Sequence, residues 1–291
     1  MFAPNLRRIP RWLRLGILAA ALVAAAGYAA AYLVPLPERL AVADSQVVTW
    51  RDGSAAHVFL SGDEKRRIPV ELDRVDPAYV DALVALEDER FWEHPGVDPV
   101  AIGRAALSNI QHGRVVSGGS TITMQLVRLL EPRPRTLTSK MIEAARAIQL
   151  EMFMSKEEIL EAYLRFVPYG GNLEGIESAS LAYFGHSAAA LSDAQVATLL
   201  AVPQNPGVYK PSVGNEENLE AARNKIIGKL LRDEAVDIGS GEHTRRPGEV
   251  VELIESEPVP TDIRALPRRI PHVAYWLRQR QPTEPRIRTT L

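Results

Sequence analysis

No cysteine occurs in the 291 residues. That absence excludes disulfides, thiolate catalysis and cysteine-ligated metal, and leaves the compartment open. A charge excess is missing too: 34 Lys and Arg against 36 Asp and Glu leave a formal net charge of −2. This disfavours a nucleic-acid binder relying on bulk electrostatics, so any polyanion must be met by a local cluster. Internal repeats are lacking, as are low-complexity segments beyond one alanine-rich run, and solenoid and collagen-like architectures drop out. What is present is apolar material. With 46% hydrophobic residues, the chain can bury one sizeable core plus an appendage.

The alanine-rich run, Leu15 to Val34, carries no charge and has about the 20 residues that a bilayer-spanning helix needs. Arg7, Arg8, Arg11 and Arg14 precede it, and Pro35, Leu36, Pro37 and Glu38 follow. The positive-inside rule then places residues 1–14 in the cytoplasm as a basic tail and everything after Pro35 outside. This describes a single-pass protein of the cytoplasmic (inner) membrane with its main domain on the outer, periplasmic side. A cleaved signal peptide ending near Ala29, Ala30 and Ala31 is the alternative, and it exports the remainder equally.

Residues 38–75 form a lead-in with strand-like pieces at 46–51 and 56–60, separated by Asp52-Gly53 and Gly62-Asp63. Helix signals dominate from 76 to 235. Asp76-Pro77 and Asp98-Pro99 each supply an N-cap followed by proline at the first helical position. Ser155 with Glu158 and Ser192 with Gln195 have capping-box spacing. Helices are predicted near 77–88, 99–112, 121–131, 138–153, 156–166, 173–184, 193–202 and 216–234, so the fold class is mainly α. From 236 to 291 the chain turns polar and proline-rich, which reads as a linker or poorly packed tail.

Three stretches carry candidate chemistry. EDERFWEHPGVD at 87–98 places carboxylates beside Phe91, Trp92 and His94 where a helix ends, a setting in which one acid can act as a general base. SGGSTITMQLVR at 117–128 sets paired glycines before Ser120 and Thr121 at a helix start, whose free N–H groups and hydroxyls suit a phosphate or a sugar. RTLTSKMIEAARAIQLE at 135–151 puts Lys140 and Glu143 on one helix face. Arg128, Arg135 and Lys140 cluster in sequence, a local cationic group that suits a diphosphate.

In this order and spacing the stretches resemble the glycosyltransferase domain of family 51, found in class A penicillin-binding proteins and in monofunctional transglycosylases. The likeness covers roughly residues 77–212 and includes EEILEAYLRFVPYGGNLEGIESASLAYFG at 157–185 and VATLLAVPQNPGVYKPS at 196–212. PYGGN at 168–172, TMQ at 123–125 and PRPRTL at 132–137 are most similar to the 1C branch of that family. The resemblance implies a lysozyme-like glycosyltransferase domain, with Glu87 as catalytic base and Glu143 as second carboxylate. It implies that Arg104, Arg128, Arg135 and Lys140 contact the diphosphate or its sugar, and that Ser120, Thr121 and Gln125 form the polar wall of the donor side.

The implied reaction is polymerisation of lipid II into β-1,4 glycan strands with release of polyprenyl diphosphate, by inverting displacement. Lipid II, the growing strand, the membrane and cell-wall synthesis proteins are the implied partners, with no nucleic acid. The resemblance fixes no cofactor, and a divalent cation, magnesium or manganese, at the diphosphate stays open. The chain departs from the family pattern at Met124, Ser139 and Arg165, and Arg165 is expected to return a charge near the leaving group. Ser-x-x-Lys and Lys-Thr-Gly, the marks of a following transpeptidase, are absent, while PRIRTTL at 285–291 looks like the threshold of such a domain. Two alternatives remain: a lysozyme-like lytic transglycosylase, which has no diphosphate to hold, and a catalytically weak cell-wall scaffold.

Overall fold

A computed structural model describes residues 31–113, 119–232 and 247–291, with a few isolated positions before 31. The expected transmembrane run lies largely outside the described residues, among which no helix is long and apolar enough to cross a membrane. The chain divides at Glu38, and the structure below is that of the unit Arg39–Leu291.

Local capping sets the helices. α1 (Pro77–Glu87) starts where the Asp76 carboxylate accepts from Ala78 N–H, and α2 (Pro99–His112) where Asp98 accepts from Val100 N–H. α3 (Ile122–Leu130) is capped by the Thr121 side chain and α4 (Leu137–Phe153) by Thr136. Reciprocal capping boxes, Ser155 with Glu158 and Ser192 with Gln195, start α5 (Lys156–Phe166) and α7 (Asp193–Ala201). Between them lies α6 (Ile176–Tyr183). The short α8 (Pro206–Tyr209) and the longer α9 (Glu216–Arg232) follow. The mainly helical expectation holds.

α3 packs against α4 and α5, and α9 lies along α7. Leu126 of α3, Leu150 of α4 and Leu160 and Leu164 of α5 are fully buried. This centre holds α3 rigidly, and α3 carries much of the site. One predicted helix begins late. Over 173–184 the chain first makes a two-residue strand, β4 (Leu173–Glu174), paired in parallel with β3 (Arg66–Arg67), and only then α6. Tertiary pairing with a distant strand overrides the local helical pattern.

The lead-in contains β1 (Val47–Thr49) and β2 (Ala55–Val58), an antiparallel hairpin. Arg67 of β3 is fully buried and ion-paired to Asp44 (3.2 Å), Asp63 (3.0 Å) and Glu174 (2.7 Å). A buried cation is tolerated only when paired this fully, so the network fastens the lead-in to β4. The tail also differs from expectation. Residues 247–291 form α10 (Pro247–Ser256), α11 (Pro271–Arg280) and β5 (Arg286–Arg288), and β5 joins β1 in parallel to complete the sheet β2-β1-β5. Ala274 of α11 and Ile287 of β5 bury Val48 and Phe59. A short sheet with an open apolar face needs such cover, and that partner is too far away in sequence to be read locally.

Candidate active site

Two concavities meet at the C-terminal end of α1. One, of about 550 Å³, is lined by Tyr79, Glu87, Gln125, Arg128, Arg135 and Tyr163 among others. The second, of about 630 Å³, is lined by Glu87, Arg104, Ser120, Thr121, Gln125 and Arg128 among others. Glu87, Gln125 and Arg128 belong to both, so the two lobes form one cleft with this trio at the junction.

Glu87 is half-buried, and its Oε2 accepts a hydrogen bond from Gln125 Nε2 at 2.8 Å. Tyr163 Oη donates to Gln125 Oε1 at 3.5 Å, which orients the amide. Burial first, and then the nearby Glu87 charge, push the Tyr163 phenol well above its usual value. Tyr79, hydrogen-bonded to Tyr169 at 3.1 Å, is raised as well, chiefly by burial. Both phenols therefore stay neutral around neutral pH, and Glu87 is the carboxylate that lines both lobes.

The acid beside it has a different task. Asp88 is buried and accepts from Ile122 N–H (2.9 Å) and from His94 Nε2 (2.9 and 3.0 Å). Burial raises its pKa, and these hydrogen bonds oppose the rise. Asp88 thus joins the end of α1 to the first residue of α3 and fixes Glu87 against Gln125. Gly96 completes the junction. Its φ is +88°, and a Cβ there would meet the Ala147 carbonyl oxygen at 2.6 Å, so the 88–98 loop can lie against α4 only with glycine at this position.

Arg128 reaches the cleft from the last turn of α3 and is held from behind. Glu143 of α4, 3% exposed, accepts from Arg128 Nε at 3.0 Å and Nη2 at 2.7 Å, a two-point clamp. Glu143 and Lys140 line neither lobe. Arg135 stands exposed at the rim of the first lobe. Arg104 is exposed in the second, 3.5 Å from Glu89. Ser120 lines the second lobe, while the Thr121 hydroxyl is committed to structure, donating to Gly96 O at 2.6 Å and accepting from Met124 N–H at 3.1 Å.

Arg165 does not return a charge to the cleft. Its guanidinium binds Asp44 at 2.5 Å, Leu40 O at 3.1 Å and the Val42 carbonyl oxygen, all in the lead-in. Sequence reasoning gave Asp88 no separate role and missed Tyr79 and Tyr163. The buried aromatic positions of α1 and α5 were the available signal, but only tertiary packing turns them toward Glu87. Leu129 and Leu130, read as candidates for dipping into lipid or as core, divide between the cleft wall and the core. Val115 and Val116, read the same way, lie outside the described residues.

The sequence relationships place this mainly helical chain in a known family. The family model described as Transglycosylase matches residues 52–231, more than half of the chain, and the chain belongs to that family. It is 44% identical over 205 residues to penicillin-binding protein 1C of Escherichia coli (strain K12), covering 70% of this chain and 26% of that protein. It is 41% identical over 170 residues to penicillin-binding protein 1A of Aquifex aeolicus (strain VF5), covering 58% of this chain and 23% of that one. Penicillin-binding protein 2D of Bacillus subtilis (strain 168) is 37% identical over 191 residues, covering 65% and 27%. The chain spans about a quarter of the length of these relatives. A crystal structure of penicillin-binding protein 1A from Haemophilus influenzae aligns with TM-score 0.41 and 19% identity over 82% of this chain and 24% of that one, a likeness too slight to argue from.

Proposed function

We propose that the chain is a peptidoglycan glycosyltransferase, polymerising lipid II into β-1,4 glycan strands at the outer face of the cytoplasmic membrane. One observation carries the reading: Glu87, oriented by Gln125, faces the same cleft as Arg128 and Arg135. The leaving group, a polyprenyl diphosphate, departs as a stable anion, so it needs cations rather than a strong general acid. Arg128 and Arg135, joined by Arg104 in the second lobe, supply them. Glu87 takes the proton from the acceptor 4-hydroxyl as its oxygen attacks the donor's anomeric carbon. The C–O bond to diphosphate breaks, and the configuration inverts.

Glu143 enters this scheme as the residue that orients Arg128, and Ser120 and Gln125 as polar contacts to the sugars. Lys140, one turn before Glu143, would act on the diphosphate only from the edge of the arginine group. Glu87, Asp88, Glu89 and Asp98 all line the second lobe, but among the described residues no three His, Asp or Glu side chains converge to hold a metal ion, and no step is routed through one. The body is read as lysozyme-like, and the Leu15–Val34 run as its single-pass anchor. Val100, Ile110, Leu137 and Met141 on α2 and α4 are exposed by 49, 78, 83 and 73%; an enzyme whose substrate keeps its polyprenyl tail in a bilayer has use for such surface.

Incubating the protein in vesicles with lipid II should yield glycan polymer and free polyprenyl diphosphate, and purified sacculi should remain intact. Release of soluble fragments from sacculi, without polymer from lipid II, would establish the lytic alternative. Saturable binding of lipid II with no polymer would establish the scaffold.

A further inference from the structure

The first residues of the lead-in are fastened to the catalytic cleft. Arg39 donates through Nη1 to the Leu129 carbonyl oxygen and through Nη2 to Glu174 Oε1 at 2.7 Å. Its guanidinium also stacks 5.2 Å from the centre of the Phe166 ring. Leu129 lies in the last turn of α3, one residue beyond Arg128, and lines the cleft.

The last carbonyls of a helix have no partner within it, and a cation there meets both the unpaired oxygens and the negative end of the helix dipole. Glu131 N–H closes on Val127 O at 2.8 Å, and Arg39 takes Leu129 O. Two tethers thus act on this turn from different sides. Glu143 holds Arg128 toward α4, and Arg39 holds the backbone toward β4, where Glu174 is itself fixed by Arg67 at 2.7 Å. The stretch after Arg39 is clipped in turn by Arg165, through Leu40 O, Val42 O and Asp44.

We propose that Arg39 is a positioning residue for glycosyl transfer: it sets the end of α3, and with it the placement of Arg128 relative to Glu87, and so couples the lead-in to the cleft. The Arg128 side chain keeps its Glu143 clamp when this tether is lost, so substrate is still gripped. What suffers is the alignment of cation and base. The proposal rests on the glycosyltransferase reading for its kinetic consequence, though not for its structural one.

The test uses the full chain in lipid vesicles, comparing wild type with Arg39→Ala, Arg39→Lys and the surface control Arg74→Ala. For Arg39→Ala, kcat with lipid II should fall about fivefold, the upper scale of a helix-terminus cation, while KM stays within about twofold. Hydrogen exchange at the Leu130 and Glu131 amides should quicken without substrate, and exchange in α7 and α9 should not change. Arg39→Lys, which keeps the charge but not the fork, should recover part of both. Wild-type kcat and exchange in Arg39→Ala would overturn the proposal, as would exchange that quickens evenly throughout the molecule. If Arg39→Ala does not fold, Arg39→Gln, which keeps a long polar side chain but loses the charge and the fork, carries the same two readouts. Should wild type make no polymer at all, the glycosyltransferase reading fails while the exchange measurement still decides the tether.

Discussion

Gln125 determines how Glu87 presents itself, because its amide donates to one carboxylate oxygen at 2.8 Å and leaves the other for the cleft. Gln125→Leu should lower polymerisation at least tenfold, since a misplaced base loses much of its effective concentration, with little change in Tm. Gln125→Glu makes a sharper prediction. A second carboxylate against Glu87 disfavours the charged base, so the acidic limb of the pH–rate profile should move to higher pH, an outcome that loss of packing alone would not produce. Arg128 and Glu143 form a separable unit. Arg128→Leu leaves a 3%-exposed carboxylate without its partner and should cost about 1–3 kcal/mol of stability by urea unfolding. Adding Glu143→Leu should restore most of that stability without restoring activity.

At this scale the motifs, through their resemblance to family 51, singled out Glu87, Gln125 and Arg128, which the structure brings together where the two lobes meet. The role of Glu143 was not legible. Its partner lies 15 positions upstream on another helix, and spacing along α4 pointed to Lys140 instead. Where Arg165 points was not legible for the same reason, its acceptors lying more than 120 positions away in the lead-in.

Helices were legible almost to the residue wherever the start was a side-chain cap, because a cap is a local hydrogen bond between neighbours in sequence. Asp76, Asp98, Ser155 and Ser192 all cap as their spacing predicts. Thr121 shows the same physics in the service of the site. Its hydroxyl caps α3 and ties it to the 88–98 loop, so Thr121→Val should cost about 1–2 kcal/mol and lower activity through Gln125. Thr121→Ser, which keeps both bonds, should be nearly silent in both assays. The strands β3 and β4 were not legible, since two residues each give no periodicity and the pairing is between distant segments.

Across the whole molecule, buried and half-buried ion pairs join elements that sequence separates. Glu131, just beyond α3, is held below its usual carboxylate range by hydrogen bonds from Arg146 first and then Arg133, against opposing burial. Its contribution to stability is therefore full above the unfolded value of about 4.3 and is lost as pH falls through the lowered folded value. Wild type should lose Tm across that window. Glu131→Gln should begin less stable and lose less. The tail is a second long-range dependence, because Ala274 and Ile287 cover Val48 and Phe59. Deleting residues 258–291 should lower Tm and make the 45–60 hairpin the first site of limited proteolysis, whereas a mere linker could be removed without effect. Nothing near the hairpin in sequence signalled this, as the covering residues lie more than 200 positions further on.

The account turns on one carboxylate, and single-turnover polymerisation of lipid II by Glu87→Gln tests it most directly. The substituted amide keeps the size of the side chain and can still bond with Gln125. Transfer should fall by a factor of about 10²–10⁴, the usual worth of a general base, with lipid II binding and Tm near wild type. Transfer at the wild-type rate in a folded, substrate-binding Glu87→Gln protein would contradict the mechanism at its root.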